Sequence, residues 1–348
     1  MEGDIRVYGS GGGFVRSVRG KRFLFALVMS YTRTAEIPGI TVAGANPDIL
    51  KFTPPADAEF ISYGACRCID AIPMTPDGKP TPALLTRVAL GYAGTPFVAV
   101  DAGGMIKPKM PFVYTGLEPG GDISREQALS EDMVAQAIAY GRSTGKTLAA
   151  LTDCLVIGES IPGGTTTAQA VMRALGIDAQ SSSSMPENPT AIKERAVKSA
   201  LARIRSRDTI HILAHLGDPM IPFVAGMLLS ASSVSPVLLA GGTQMAAVLA
   251  TARSLGFDGK NAAIGTTRYI IDDATANLLD IVDIPVLAVD PGMDRARADG
   301  LRALAEGFAK EGAGAGGGMI SAILGAGADA ARLRDLADAE YARISDLH

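Results

Sequence analysis

The feature that most constrains the fold is a short, almost unbroken apolar run that recurs along the chain and is closed each time by a small or polar residue. Such runs occupy residues 23–30, 60–64, 97–103, 155–159, 210–217, 237–242, 262–267 and 286–292. Most are apolar throughout rather than alternating, the pattern of strands covered on both faces in a parallel sheet. Between them lie stretches of helical periodicity, at about 83–92, 124–145, 166–175, 190–205, 219–230, 244–255 and 294–310. Strand and helix alternate, which predicts parallel strands joined by right-handed helical crossovers. Ligands of such sheets sit at the carboxyl ends of the strands, so the residues closing each run are where chemistry is expected.

The fold class expected is therefore α/β: a doubly wound, mostly parallel, Rossmann-like sheet with helices on both faces. A small, mainly helical subdomain from the chain termini completes it. The division predicted is a Gly-rich segment over 1–20, a large α/β domain over 21–318 and a C-terminal helical segment over 319–348 in the small subdomain. Residues 1–17 read as a poorly ordered or edge piece. Residues 34–55 hold Pro38, Gly39, Gly44, Pro47, Pro54 and Pro55, and so predict a long irregular loop of the kind that is often functional. Residues 107–121 form another Pro/Gly-rich connection. Residues 180–189, with four serines, read as an exposed or ligand-covering loop, and 333–348 as an amphipathic helix.

Several function classes fall away. Net charge is −4 with both signs scattered, aromatics are 5% and Trp is absent, so neither a basic stripe nor a base-stacking platform exists for nucleic acid. The early apolar run Phe23–Met29 is far short of the roughly 20 residues of a membrane span. Three cysteines, Cys66, Cys68 and Cys154, fit a reducing cytoplasm better than a disulfide framework. Glu2 and Asp4 do not match a secretory signal, so a soluble cytoplasmic protein is expected. Cys66 and Cys68 read as small packed residues near strand ends. Val7-Tyr8-Gly9-Ser10-Gly11-Gly12-Gly13-Phe14 imitates a dinucleotide loop, but the basic stretch after it shows no helix-packing stripe. His211 and His215 fall in a run read as a strand, where positions four apart lie too far apart to share one ion. No metal and no cofactor is expected. Gly163-Gly164-Thr165 lacks the lysine of a nucleoside-triphosphate loop, and no Gly-x-Ser-x-Gly elbow occurs.

Chemistry concentrates in Leu155-Val156-Ile157-Gly158-Glu159-Ser160-Ile161-Pro162-Gly163-Gly164-Thr165-Thr166-Thr167-Ala168. An apolar run meets a carboxylate, then glycines, then hydroxyls, then a small-residue helix. Glycines let backbone N–H groups close round an anion, and the helix start adds positive potential. This predicts a phosphate seat with an acid beside it. Asp290-Pro291-Gly292 ends another run with an acid and a tight turn. Lys193, in the helix after the serine loop, reads either as a mobile ammonium able to reach a phosphate or as a plain surface lysine. Glu311 stands in the glycine-rich Lys310-Glu311-Gly312-Ala313-Gly314-Ala315-Gly316-Gly317-Gly318, where partial desolvation would raise its pKa towards a useful base, unless the turn is a flexible cap with a solvated Glu. Asp101, Gly217, Gly241 and Asp290 are candidate substrate-lining residues at the ends of runs.

These segments resemble the nicotinate-nucleotide:dimethylbenzimidazole phosphoribosyltransferase family of cobamide nucleotide-loop synthesis, and more closely its divergent archaeal and cyanobacterial branch. Gly158-Glu159 with Gly163-Gly164-Thr165-Thr166 is similar to the family's Gly-Glu-Met-Gly-Ile-Gly-Asn-Thr-Thr. Asp290-Pro291-Gly292 is similar to its Glu-Pro-Gly, and Glu311-Gly312-Ala313-Gly314-Ala315 to its Gly-Glu-Gly-Thr-Gly-Ala. The likeness covers about 96–318. Thr34-Ala35-Glu36-Ile37-Pro38-Gly39-Ile40 and Ala43-Gly44-Ala45-Asn46-Pro47 fit the archaeal branch alone. The sequence departs from the family at Pro162-Gly163-Gly164-Thr165, at Ala240 before Gly241-Gly242 where the family has Asp, and at Met293 where it has His.

The resemblance implies a pentosyltransferase that moves 5-phosphoribose from nicotinate mononucleotide to an aromatic nitrogen base, giving an α-ribazole phosphate. It implies Glu311 as general base and Glu159 as an active-site acid. It implies Ser160, Gly163, Gly164 and Thr165 as the phosphate loop, with Lys193, Pro291 and Gly292 completing the pocket. It also implies a homodimer, with nicotinate mononucleotide and an aromatic base as partners. A non-enzymatic or regulatory nucleotide-binding protein on the same scaffold, or a related transferase with a different acceptor base, remain the alternative expectations.

Overall fold

The computed structural model describes residues 4–41, 47–71, 74 and 78–346. Ala43-Gly44-Ala45-Asn46 of the archaeal-type motif lies outside the described residues. Among the described residues eight strands form one sheet: β1 (Ile5–Tyr8), β2 (Phe23–Met29), β3 (Phe97–Asp101), β4 (Val113–Tyr114), β5 (Cys154–Ser160), β6 (Val237–Ala240), β7 (Ala262–Thr267) and β8 (Val286–Val289). The helices are α1 (Gly12–Val18), α2 (Pro47–Leu50), α3 (Thr53–Tyr63), α4 (Ala83–Ala93), α5 (Glu131–Ala149), α6 (Gly164–Ala174), α7 (Thr190–Leu201), α8 (Thr209–Leu216), α9 (Met220–Ala231), α10 (Thr243–Ser254), α11 (Arg268–Ile271), α12 (Leu278–Ile281), α13 (Asp299–Ala305), α14 (Ala315–Ala326) and α15 (Ala330–Ser345).

The strand order is β1-β8-β7-β6-β5-β2-β3-β4, with only β1 antiparallel. From β2 the chain steps outward to β3 and β4. It then returns to β5 on the other side of β2 and steps outward to β6, β7 and β8. The order reverses between β2 and β5, and the carboxyl ends there open the crevice where doubly wound sheets bind ligands. Each central strand is buried on both faces, as its unbroken apolar sequence requires. Leu24, Ala26, Val28, Leu155, Ile157 and Leu239 pack on one side with α5, α6, α9 and α10. Phe25, Leu27, Val156, Leu238 and Leu287 pack on the other with α3, α4, α14 and α15. The doubly wound α/β expectation holds.

Two apolar runs are helices, not strands. Residues 60–64 end α3, which starts with prolines in its first turn and stops at Gly64 in the left-handed conformation (φ 69°). Residues 210–217 form most of α8, whose start is fixed by Asp208 accepting from the N–H groups of Ile210 and His211. His211 and His215 consequently sit one turn apart with ring centroids 4.3 Å apart, so the strand argument against a shared ion does not apply. Among the described residues no group of three or more His, Cys, Asp or Glu is placed to hold a metal. Cys66 and Cys68 follow α3 rather than a strand, and both are only partly buried.

Other boundaries shift for local reasons. α5 begins at Glu131 because Ser130 caps it, leaving 124–130 as loop. The 294–310 pattern resolves into a short 3-10 turn, Met293–Arg295, and α13. The glycine-rich start does form strand, turn and helix, with Val15 and Val18 of α1 buried, and β1 closes the sheet edge against β8. The boundary expected at 318/319 falls inside α14, which lies flat on the sheet. Its glycines serve that approach: a Cβ on Gly316 would stand 2.2 Å from the Thr266 backbone, and one on Gly317 2.2 Å from Ala240 Cβ. Of the glycine-rich segment 310–318, residues 310–314 precede the helix and 315–318 are its first turn. No described helix is long and apolar enough to cross a membrane.

Candidate active site

The last residues of β5 stand at the reversal point. Glu159 and Ser160 are both nearly fully buried there. The side chain of Gln244, on α10, hydrogen-bonds Glu159. Burial pushes the Glu159 carboxyl up to about 8 despite that bond, and the nearby charges of Glu311, Asp218 and Asp57 add to the rise. Glu311 is held across from it at the end of β7. Its carboxylate accepts from the backbone N–H groups of Thr267 (3.0 Å) and Gly316 (3.1 Å). Burial of that carboxylate still outweighs these bonds and raises it to about 7.

What brings the two acids together is close backbone approach. Gly158 on β5 and Gly314, which caps α14, touch so closely that a Cβ on either would lie within about 3 Å of the other's Cα (3.2 and 3.1 Å). β6 separates β5 from β7 and ends in Gly241-Gly242. With strands about 4.8 Å apart, β5 and β7 end roughly 10 Å apart, Glu159 standing on the end of β5 and Glu311 bonded to the end of β7. A Cβ on Gly241 would lie 3.8 Å from Glu159 Oε1.

Two further buried carboxylates complete the group, and neither was singled out from sequence. Asp57 of α3 accepts from Ser160 Oγ and Thr81 Oγ1, both at 2.7 Å. Asp218, beside Gly217 at the turn from α8 to α9, accepts from Thr167 Oγ1 of α6 and from Ile221 N. Burial raises both to about 6. None of the four carboxylates owes any of its shift to a lysine or arginine. Ser30 Oγ, just past β2, and Thr166 Oγ1, in the first turn of α6, are buried and have no hydrogen-bond partner among the described residues.

The loop from Ser160 to Thr165 turns at Gly163 (φ 75°) into α6, whose start carries no side-chain cap. Gly163 and Gly164 are buried, and Thr165 keeps some surface. The backbone of Ala35 would lie 2.8 Å from a Cβ on Gly163, so the 32–40 segment covers this loop. That segment is tied down through Thr32 Oγ1 to Gly121 O (3.0 Å).

Lys193 is neither mobile nor on the surface. It is 1% exposed, and its ammonium donates to Ser182 O (2.5 Å) and Ser181 Oγ (3.2 Å). Burial lowers it to about 7. The serine loop is likewise buried at Ser181, Ser182 and Ser183 rather than exposed. A cleft lined by Gln169, Arg173, Ser181 and Thr275, among others, opens beside Lys193. Asp290, Pro291 and Gly292 stand one strand further out, at the end of β8. Asp290 pairs with Arg268 (2.8 Å) and accepts from Gly292 N (2.9 Å). Asp101, at the end of β3, is taken up by Lys107 (2.6 Å) and Gly104 N (2.7 Å). The structure thus groups Glu159, Glu311 and Gly241 with Ser160, Gly163 and Gly164. It sets Lys193 behind the serine loop, and Asp101 and Asp290 to either side.

Comparisons with known proteins agree with this architecture. The profile of a family described as Phosphoribosyltransferase matches residues 88–264. A UPF0284 protein of Archaeoglobus fulgidus is 46% identical over 93% of this chain and 94% of its own length. Another, from Methanothermobacter thermautotrophicus, is 41% identical over 92% of each. The crystal structure of CobT from Thermus thermophilus superposes with a TM-score of 0.62 at 16% identity, covering 94% of this chain and 90% of that one. A nicotinate-nucleotide-dimethylbenzimidazole phosphoribosyltransferase structure from the same organism gives 0.60 at 16% identity, over 96% and 93%. The chain is an enzyme, a phosphoribosyltransferase, and belongs to the nicotinate-nucleotide:dimethylbenzimidazole phosphoribosyltransferase family.

Proposed function

We propose that the enzyme moves 5-phosphoribose from nicotinate mononucleotide to an aromatic nitrogen base, with inversion at C1′, to give an α-riboside phosphate for cobamide synthesis. The observation that carries this reading is the pair of buried acids Glu159 and Glu311 on either side of the end of β6, with no lysine or arginine among the described groups that hydrogen-bond them. A pocket of carboxylates without cations suits a reaction in which positive charge spreads over C1′ as the bond to the pyridinium nitrogen breaks. Nicotinate leaves with a neutral ring because that nitrogen was already cationic, and departure needs no metal. The imine-type nitrogen of the acceptor azole bonds to C1′ from the side opposite the leaving nicotinate, and the proton on the azole's other nitrogen passes to Glu311. With a carboxyl near 7, Glu311 is matched to that proton transfer at neutral pH. Holding two planar bases on either side of one carbon supplies the rest by orientation. The loop from Ser160 to Thr165 and Lys193 would hold the ester phosphate, with Pro291 and Gly292 at its margin.

The test is product analysis. The protein is incubated with nicotinate mononucleotide and a panel of azoles, and nicotinate release is followed. Glu311→Gln should slow release by about 10²–10⁴-fold. Release from no base in the panel would favour a nucleotide binder without catalysis, and release undiminished in Glu311→Gln would remove the assigned base.

A further inference from the structure

We propose that Lys310 is a second phosphate-binding side chain, held by Asp273 while the site is empty, and that its engagement couples phosphate occupancy to the position of Glu311. The inference rests on the phosphate-ester reading above.

The argument begins with charge. Lys310 is buried, and its ammonium donates to Asp273 Oδ2 at 2.7 Å. Asp273 is also buried, and accepts from Thr275 N (3.0 Å) and Thr275 Oγ1 (2.6 Å). Lys193 is close enough to feel the charges of both Asp273 and Lys310. Its own ammonium finds only carbonyl and hydroxyl oxygens of Ser181 and Ser182. Lys310 thus has the carboxylate and Lys193 only dipoles, so Lys193 holds a full charge at neutral pH only where an anion is supplied. A buried cation without a counter-ion is costly. A phosphate monoester carries about −1.5 to −2 near neutral pH and matches two ammoniums rather than one. The next charged group, Arg173, is already satisfied by Glu194 (2.6 Å).

The second strand of the argument is connectivity. The serine loop touches Lys193 and the residue before Lys310: Lys193 donates to Ser181 and Ser182, and Ala309 donates its N–H to Ser184 O (2.8 Å). Ser182 in turn meets Thr243 Oγ1 at the start of α10, beside Gly241-Gly242. On the other side, Thr267 binds both halves of the Lys310-Glu311 pair. Its hydroxyl donates to Lys310 O (2.5 Å) and its N–H to the Glu311 carboxylate (3.0 Å). Lys310 leaving Asp273 for a phosphate therefore pulls on the residue next to the base. Binding energy from the phosphate is then spent on placing Glu311.

The experiment compares nicotinate mononucleotide with the unphosphorylated nicotinate riboside, and uses inorganic phosphate as a separate probe by calorimetry. Lys310→Met, and the charge-neutral double variant Asp273→Asn/Lys310→Met in case the single one unfolds, should lower the kcat/KM preference for nucleotide over riboside by about 10–100-fold. They should weaken phosphate binding at least tenfold and move the lower limb of the kcat–pH profile. Asp273→Asn alone should tighten phosphate, because Lys310 is released. A purely structural ion pair predicts lower Tm with unchanged phosphate affinity and unchanged preference, and that result overturns the proposal. So does a wild-type protein that binds no phosphate. Phosphate binding that depends on Lys310 in a protein releasing no nicotinate would sink the proposed reaction and leave this inference standing.

Discussion

Glu159 and Glu311 are two carboxylates of the same type with different work, separated by their surroundings. Glu311 loses its proton near 7, under four hydrogen-bond donors that favour the charged form, and Glu159 holds its own to about 8 because it is buried beside other acids. For the proposed reaction this sets a sign. The rate of nicotinate release should rise through about pH 7 as Glu311 ionises and fall above about 8 as Glu159 does, the pair titrating as a coupled unit. Glu159→Gln should remove the upper limb and leave the lower one, as a pH–rate series would read; an unchanged bell would exclude Glu159. Both acids were legible in sequence because each stands next to glycines, Glu159 at the end of an apolar run and Glu311 at the head of a glycine-rich segment. Asp57 and Asp218 were not, since they acquire meaning only through Ser160 and Thr167, far away along the chain. Lys193 was legible as a residue but not as a buried one. Its burial depends on the serine loop folding inward.

Among the elements, the α5–α9 crossing is held by missing side chains. A Cβ on Gly141 would stand 1.9 Å from Phe223 O, one on Gly145 2.5 Å from Met227 O, and one on Gly226 2.3 Å from Ile138 O. Gly141→Ala should therefore destabilise the protein by about 3 kcal/mol through forced separation of the helices, more than a glycine in a free helix would ever lose. A denaturant titration showing a gain in stability, as helix propensity alone predicts, would refute this. At α8, Asp208→Ala should cost about 1 kcal/mol through loss of the cap on Ile210 and His211. That cap also explains the misreading of 210–217. Its apolar content suits a buried strand or a buried helix equally, and Asp208 is the residue that decides. The same ambiguity affected 60–64, where the prolines at the start of α3 and Gly64 at its end carry the information. The central strands were legible because no amphipathic helix tolerates apolar residues on every face.

For the whole molecule, the buried charges set a dependence of stability on pH. Asp57, Asp218, Glu311 and Glu159 all have folded pKa values raised by burial, to about 6, 6, 7 and 8. The folded state therefore binds more protons than the unfolded one between about 4 and 8, and stability falls as pH rises through that window. Lys193 has the opposite sign, being lowered to about 7, so its contribution grows only above that pH. The Tm of the ligand-free protein should decline from pH 5 to pH 8. Glu159→Gln should flatten the decline and raise Tm at pH 8 by roughly 2–5 °C. A Tm that climbs over this range would contradict the burial of the four acids.

The antiparallel edge strand has a consequence for how the protein is made. Residues 5–8 wait for a partner, because the segment they hydrogen-bond, residues 286–289, is synthesised about 280 residues later. Asp4 then receives the N–H of Ala330 (2.7 Å), later still. The nascent chain can assemble its central strands during translation, but this seam is sewn only after β8 and the start of α15 have been made.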